Sequence, residues 1–76
     1  MFSYNIAKNA DKKAFDKACS LIESELRGIQ KERILEDVDG TLIQVYKTAD
    51  GKSIKVFNDF EVDAVYVDSD VNIPSM

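Results

Sequence analysis

Carboxylates are the main chemical resource of this 76-residue chain: fourteen acids face ten bases, and there is no histidine and one cysteine. Without histidine, His-based triads, His proton shuttles and His-ligated metals are excluded. A single cysteine cannot build a zinc site or an internal disulfide. Cys19 falls on the apolar side of a helical segment, so a buried reduced thiol is expected, as in a reducing cytoplasm. Glu61 and Asp63 are spaced two apart and would share one face of a strand. No apolar pocket is implied around them, so they are read as solvated. Tyr46, Phe57 and Lys55 have the makings of a small base-stacking platform. The surrounding acids favour packing or a protein interface instead. With two of three glycines in turns, no phosphate-cradling loop is present.

Two short stretches resemble known motifs. Asp37-Val38-Asp39-Gly40-Thr41-Leu42 resembles the first motif of haloacid-dehalogenase-type phosphatases, DxDGT. That resemblance implies a nucleophile at Asp37 and an acid/base at Asp39. It also implies a long doubly wound parallel sheet with a later lysine and acidic pair. A hairpin turn accounts for the same residues in a chain this short, and no enzyme is expected. Asp68-Ser69-Asp70-Val71-Asn72 resembles the opening of a calcium-binding EF-hand loop. Ile73 stands at the glycine position and no second helix follows, so neither a metal nor a cofactor is expected.

The elements that must position these groups start with Asp11–Arg27. At about 100° per residue, Phe15, Ala18, Cys19, Ile22, Leu26 and Ile29 form one stripe, widened by Ala14 and Leu21. Lysines, acids and serines fill the opposite arc, and Glu25 sits near the apolar side. Asn9 or Asp11 can cap the start, and Gly28 suits a left-handed stop. Such a helix needs a surface to lie on.

Met1–Ala7 alternates like a half-buried strand. From Arg33 the chain is β-rich. Asp39-Gly40 and Asp50-Gly51 read as two-residue hairpin turns. They place Ile34, Val38, Ile43, Val45, Ile54 and Val56 on one core face, with Val45 opposite Val56. A three-residue loop after Val56 and Phe57 would pair Val56 with Val62, Ile54 with Ala64 and Lys55 with Asp63. The last strand is then Glu61–Val67. Phe15, Ile22, Leu26, Val45 and Val56 are expected in one core. The predicted fold is α+β: one long amphipathic helix on an antiparallel sheet, order β-α-β-β-β-β. This order is similar to that of cystatin-like folds. Residues 1–67 are read as one domain and 68–76 as a loose tail.

Charge is uneven along the chain. Residues 1–31 hold six bases and four acids, a net +2; residues 32–76 hold four bases and ten acids, a net −6. An acidic half repels nucleic acid and favours basic partners. No segment is apolar enough to cross a membrane and no signal peptide is evident, so a cytoplasmic protein is expected. The function expected is a small acidic binding protein that neutralises a basic macromolecule. Bacterial toxin-immunity proteins and phage inhibitors of nucleases or defence complexes are of this kind. The alternative is a self-associating structural or adaptor subunit, with a homodimer as one form. The contact surface is expected to comprise Asp37, Tyr46, Phe57, Glu61 and Asp63, with aromatic residues at its centre.

Overall fold

Asp11 is where a helix becomes possible. In the computed structural model, which describes residues 1–76, its carboxylate accepts the Lys13 N–H at 2.9 Å and caps α1, Lys12–Glu25. The apolar stripe lands as expected: Phe15, Ala18, Cys19 and Ile22 are buried. The helix stops slightly before Arg27. Leu26 is already extended at φ −101°, ψ 127°, and its N–H closes on the Ile22 carbonyl at 3.0 Å. Gly28, at φ +71°, then turns the chain.

Six strands follow the α+β expectation, all antiparallel: β1 Phe2–Ala7, β2 Gln30–Lys31, β3 Leu35–Glu36, β4 Leu42–Lys47, β5 Ser53–Asp59 and β6 Ala64–Ser69. Their order across the sheet is β1-β6-β5-β4-β2, and β3 also pairs with β4. β2 and β3 are two short pieces along one edge of β4, where five strands rather than six were expected. Gln30 pairs with Lys47 but Leu35 with Ile43, so the register slips by one residue between them. Buried Gln44 spans the break, donating to the carbonyls of Glu32 at 2.6 Å and Val45 at 3.2 Å. β1 forms the far edge.

Both Asp-Gly turns are one residue longer than expected. Asp37 N–H bonds the Thr41 carbonyl at 2.9 Å, enclosing Val38, Asp39 and Gly40; Thr48 N–H bonds the Lys52 carbonyl at 2.9 Å, enclosing Ala49, Asp50 and Gly51. Gly40 and Gly51 have φ of +88° and +87°, as third residues of bulged loops. The longer loops satisfy themselves. Asp39 accepts the Thr41 N–H at 2.9 Å, and Thr48 Oγ1 accepts the Lys52 N–H at 2.9 Å.

The consequence is that β4 is turned over relative to the expected register. Leu42, Gln44 and Tyr46 face the helix, and Ile43 and Val45 face away. Val45 pairs with Lys55, not Val56, and Val56 pairs with Gln44. The expected core is corrected accordingly: Phe15, Ile22 and Val56 are buried, Leu26 is half-buried, and Val45 lies on the open face.

The connection after β5 is also longer, four residues from Phe60 to Asp63, and Asp63 takes φ +56°. Asp59 Oδ1 accepts the Glu61 N–H at 2.9 Å and the Val62 N–H at 3.3 Å, which closes the loop. Val56 therefore pairs with Val67 instead of Val62, and Lys55 with Asp68 instead of Asp63. Val65 and Val67 enter the core, where Val62 and Ala64 were expected. Residues 68–76 lie against the body instead of hanging loose. Asp68 and Ser69 end β6, and Ile73 is wholly buried. Tyr4 OH accepts the Ile73 N–H at 2.9 Å and donates to Asn72 Oδ1 at 3.1 Å. Glu25 accepts the Ser75 N–H at 3.0 Å.

Candidate partner-binding site

Two loops meet at one end of the sheet because Leu42 pairs with Asn58, at the start of β4 and near the end of β5. The 38–40 loop and the 60–63 loop are then neighbours. Phe60 N–H donates to Thr41 Oγ1 at 3.0 Å. The Phe60 ring lies beside Gly40, where a Cβ would sit 3.4 Å from it. It is the positive φ that favours glycine at position 40, since a Cβ there would meet the ring at ordinary contact distance.

This end combines carboxylates with uncovered apolar side chains. Val38 is fully exposed, Val62 is 63% exposed and Phe60 50% exposed. Leu35 adjoins them at 54%. Among them stand Glu36, Asp37, Asp39 and Glu61. No lysine or arginine occurs from Ile34 to Tyr46 or after Lys55. Asp37 Oδ1 accepts the Val38 N–H at 2.8 Å, and Asp39 Oδ1 the Thr41 N–H. Each keeps its second oxygen free, and the Glu36 and Glu61 carboxylates bond no group of the chain. The Asp pair is thus held on an antiparallel hairpin, not in the parallel frame that the phosphatase resemblance implies. Asp70 of the calcium-loop resemblance accepts the Ser53 N–H at 3.0 Å and sits beside a strand, not between helices. No group of three or more acids and cysteines is arranged to share a metal ion.

The five residues expected to form one contact surface are distributed differently. Asp37 and Glu61 come together on the adjoining loops. Asp63 turns to the helix side, accepting the Ala10 N–H at 2.8 Å and the Asn9 amide at 2.9 Å. The Ala10 bond first, then Asn9, holds its carboxyl below the usual aspartate range. Phe57 faces the open side of the sheet, stacked on Tyr66 with ring centroids 4.6 Å apart. Tyr46 is in the interior, which removes it from any contact surface. Its hydroxyl donates to Glu23 at 2.5 Å, and Lys31 pairs with the same carboxylate at 3.1 Å. Those two bonds lower the Glu23 pKa, the tyrosine contributing more; burial, then Glu23, raise that of Tyr46. Burial likewise raises the free Cys19 thiol.

Val38, Phe60 and Val62 were missed because Val38 and Val62 were assigned to core-facing strands. The signal for the second was Asp59, whose spacing to Glu61 and Val62 suits a side-chain-closed loop. No helix is long and apolar enough to cross a membrane. Comparison with protein-family models, with curated proteins and with solved structures found no match.

Proposed function

We propose that this chain is a small acidic binding protein that neutralises a basic macromolecular partner, with the loop end of the sheet as its contact surface. The observation that carries this reading is the juxtaposition of Val38, Phe60 and Val62 with Glu36, Asp37, Asp39 and Glu61 on adjoining loops. Exposed apolar groups at the centre supply affinity on desolvation, and a single-sign rim speeds and orients encounter. The chemistry that matches is a surface built to hold phosphates, as in a nuclease or another nucleic-acid-binding protein.

The test is binding kinetics at two salt concentrations against a basic partner recovered by pull-down. Phe60→Ala and Val62→Ala should mainly raise the off-rate. Glu36→Lys with Glu61→Lys, neither of whose carboxylates bonds the chain, should mainly lower the on-rate and flatten its salt dependence. A partner that is acidic, or one indifferent to all four substitutions, would refute the reading.

A further inference from the structure

The helix covers one face of the sheet only. On the other, Leu35, Ile43, Val45, Phe57 and Tyr66 lie side by side across four strands. A face this apolar is unusual for one left to water. Lys47 and Lys55 stand on this face with Asp59 and Asp68, and Glu32 and Asp70 border it beside Val45 and Ser53. Lys55 makes no ion pair within the chain, although Asp68 is directly opposite on β6.

The arrangement along β5 is self-complementary. Phe57 stands midway between Lys55 and Asp59, each two residues away and so about 7 Å distant along the strand. A two-fold axis passing over Phe57, at right angles to the strands, exchanges those two positions. From this we infer that two copies of the chain pack open face to open face, with β5 over β5 in opposite directions. The stacked Phe57 and Tyr66 rings of each copy meet at the centre. Lys55 of each copy lies over the partner's Asp59. Such a contact is isologous, position 55 meeting 59 and 59 meeting 55. The alternative axis, along the strands, would bring Lys55 level with Lys55 and is disfavoured by like charge. Sheets so stacked lie about 10 Å apart with interleaved side chains. The occupant is a second copy because Lys55 and Asp59, placed on either side of the Phe57 ring, match their own image. This contact does not use the acidic loops, so it stands or falls independently of the basic-partner reading.

Sedimentation equilibrium of the purified chain over a wide concentration range tests it, with circular dichroism to verify folding. The wild type should show a monomer–dimer equilibrium that weakens as salt is raised. Phe57→Lys, on the face opposite the core, should be folded and monomeric. Lys55→Glu, at an exposed position, should stay folded and weaken the dimer at least about tenfold at low salt, since it sets acid over acid twice. Isotope-filtered nuclear Overhauser contacts between Phe57 or Tyr66 of a labelled copy and the same rings of an unlabelled one should appear in a mixed sample. A wild type that is monomeric at every concentration overturns the inference. So does a dimer untouched by Lys55→Glu, or one whose contacts map to another surface.

Discussion

The two faces of the sheet are built from similar side chains, yet they behave as different materials. On the helix side the buried polar groups are bonded within the chain, with one exception, Glu25 Oε2. Tyr46 OH donates to Glu23, Gln44 bonds two carbonyls, and Asn58 Oδ1 accepts the Asp11 N–H at 2.9 Å. Ser69 Oγ both donates to the Val71 carbonyl and accepts its N–H. These bonds tie the helix start, the edge strand and the C-terminal segment to the sheet. On the open side Lys55 makes no ion pair within the chain, and no helix covers the apolar groups. A face can therefore be rich in aliphatic and aromatic residues without being the core. What makes the core is that α1 closes over it and that nearly all of its polar groups are satisfied within the chain.

The sharpest way to break this comparison is to put one charge on each face. Val56→Asp places an unpaired carboxylate under the helix. It should abolish cooperative folding, since several kcal/mol is most of the stability of a domain this size. Val45→Asp, one strand away on the open face, should leave a folded protein that is weaker by only about 1 kcal/mol. Chemical denaturation of the two variants decides the matter. Equal losses would mean that β4 is the other way up.

A milder contrast uses the two tyrosines that donate to carboxylates. Tyr66 OH donates to Asp59 at 2.8 Å on the open face, and this bond is the main reason the Asp59 pKa is lowered. Burial first, then Asp59, pushes the Tyr66 phenol up to about 12. Tyr46→Phe should cost about 1 kcal/mol, and Tyr66→Phe under about 0.5 kcal/mol. In each variant the bonded carboxyl, Glu23 or Asp59, should titrate closer to its ordinary range by NMR. Equal stability losses would mean that the two faces are alike in polar satisfaction.

The smallest effect concerns Asp63, whose folded pKa lies below its unfolded value of about 3.9. A carboxyl depressed in this way adds stability above its unfolded pKa and loses it as pH falls through the folded one. The melting temperature should therefore drop on acidification from about pH 5 to pH 2. Asp63→Asn keeps an acceptor for the Ala10 N–H and tolerates φ +56°, but carries no charge. Its melting temperature should fall less steeply over that range. An unchanged slope would show that the Asp63 charge adds nothing to holding the helix-side turn.

How much of this was legible differs from residue to residue. Phe15, Ala18, Cys19 and Ile22 could be read from spacing alone because a helical stripe depends only on positions within the helix. The positive φ of Gly40 and Gly51 was equally legible, since Asp-Gly at a chain reversal calls for it. What the dipeptide does not reveal is whether glycine is the second residue of a two-residue loop or the third of a bulged one. Both hairpins took the longer form, and the two equal errors still agreed with each other. Because side chains alternate, that single residue moved Tyr46 from the proposed contact surface to the core and Val45 the other way. The candidate site suffered most. Only Asp37 and Glu61 of the expected set lie at the loop end, where the exposed apolar residues are Val38, Phe60 and Val62, not Tyr46.

By itself, then, the sequence determined the quantities that are local: one capped amphipathic helix, a β-rich acidic half, left-handed glycines at two reversals, and the absence of histidine. Tertiary structure alone decided which face of β4 is inside, that β1 lies beside β6, and that Ile73 closes the core. The physical reason is that strand faces are degenerate until something covers one of them. Ile43 and Val45 satisfy the alternation as well as Leu42 and Tyr46 do. The choice falls to long-range terms: the bonds of Tyr46 to Glu23 and of Gln44 to the Glu32 carbonyl, and the larger apolar area that Tyr46 brings under the helix.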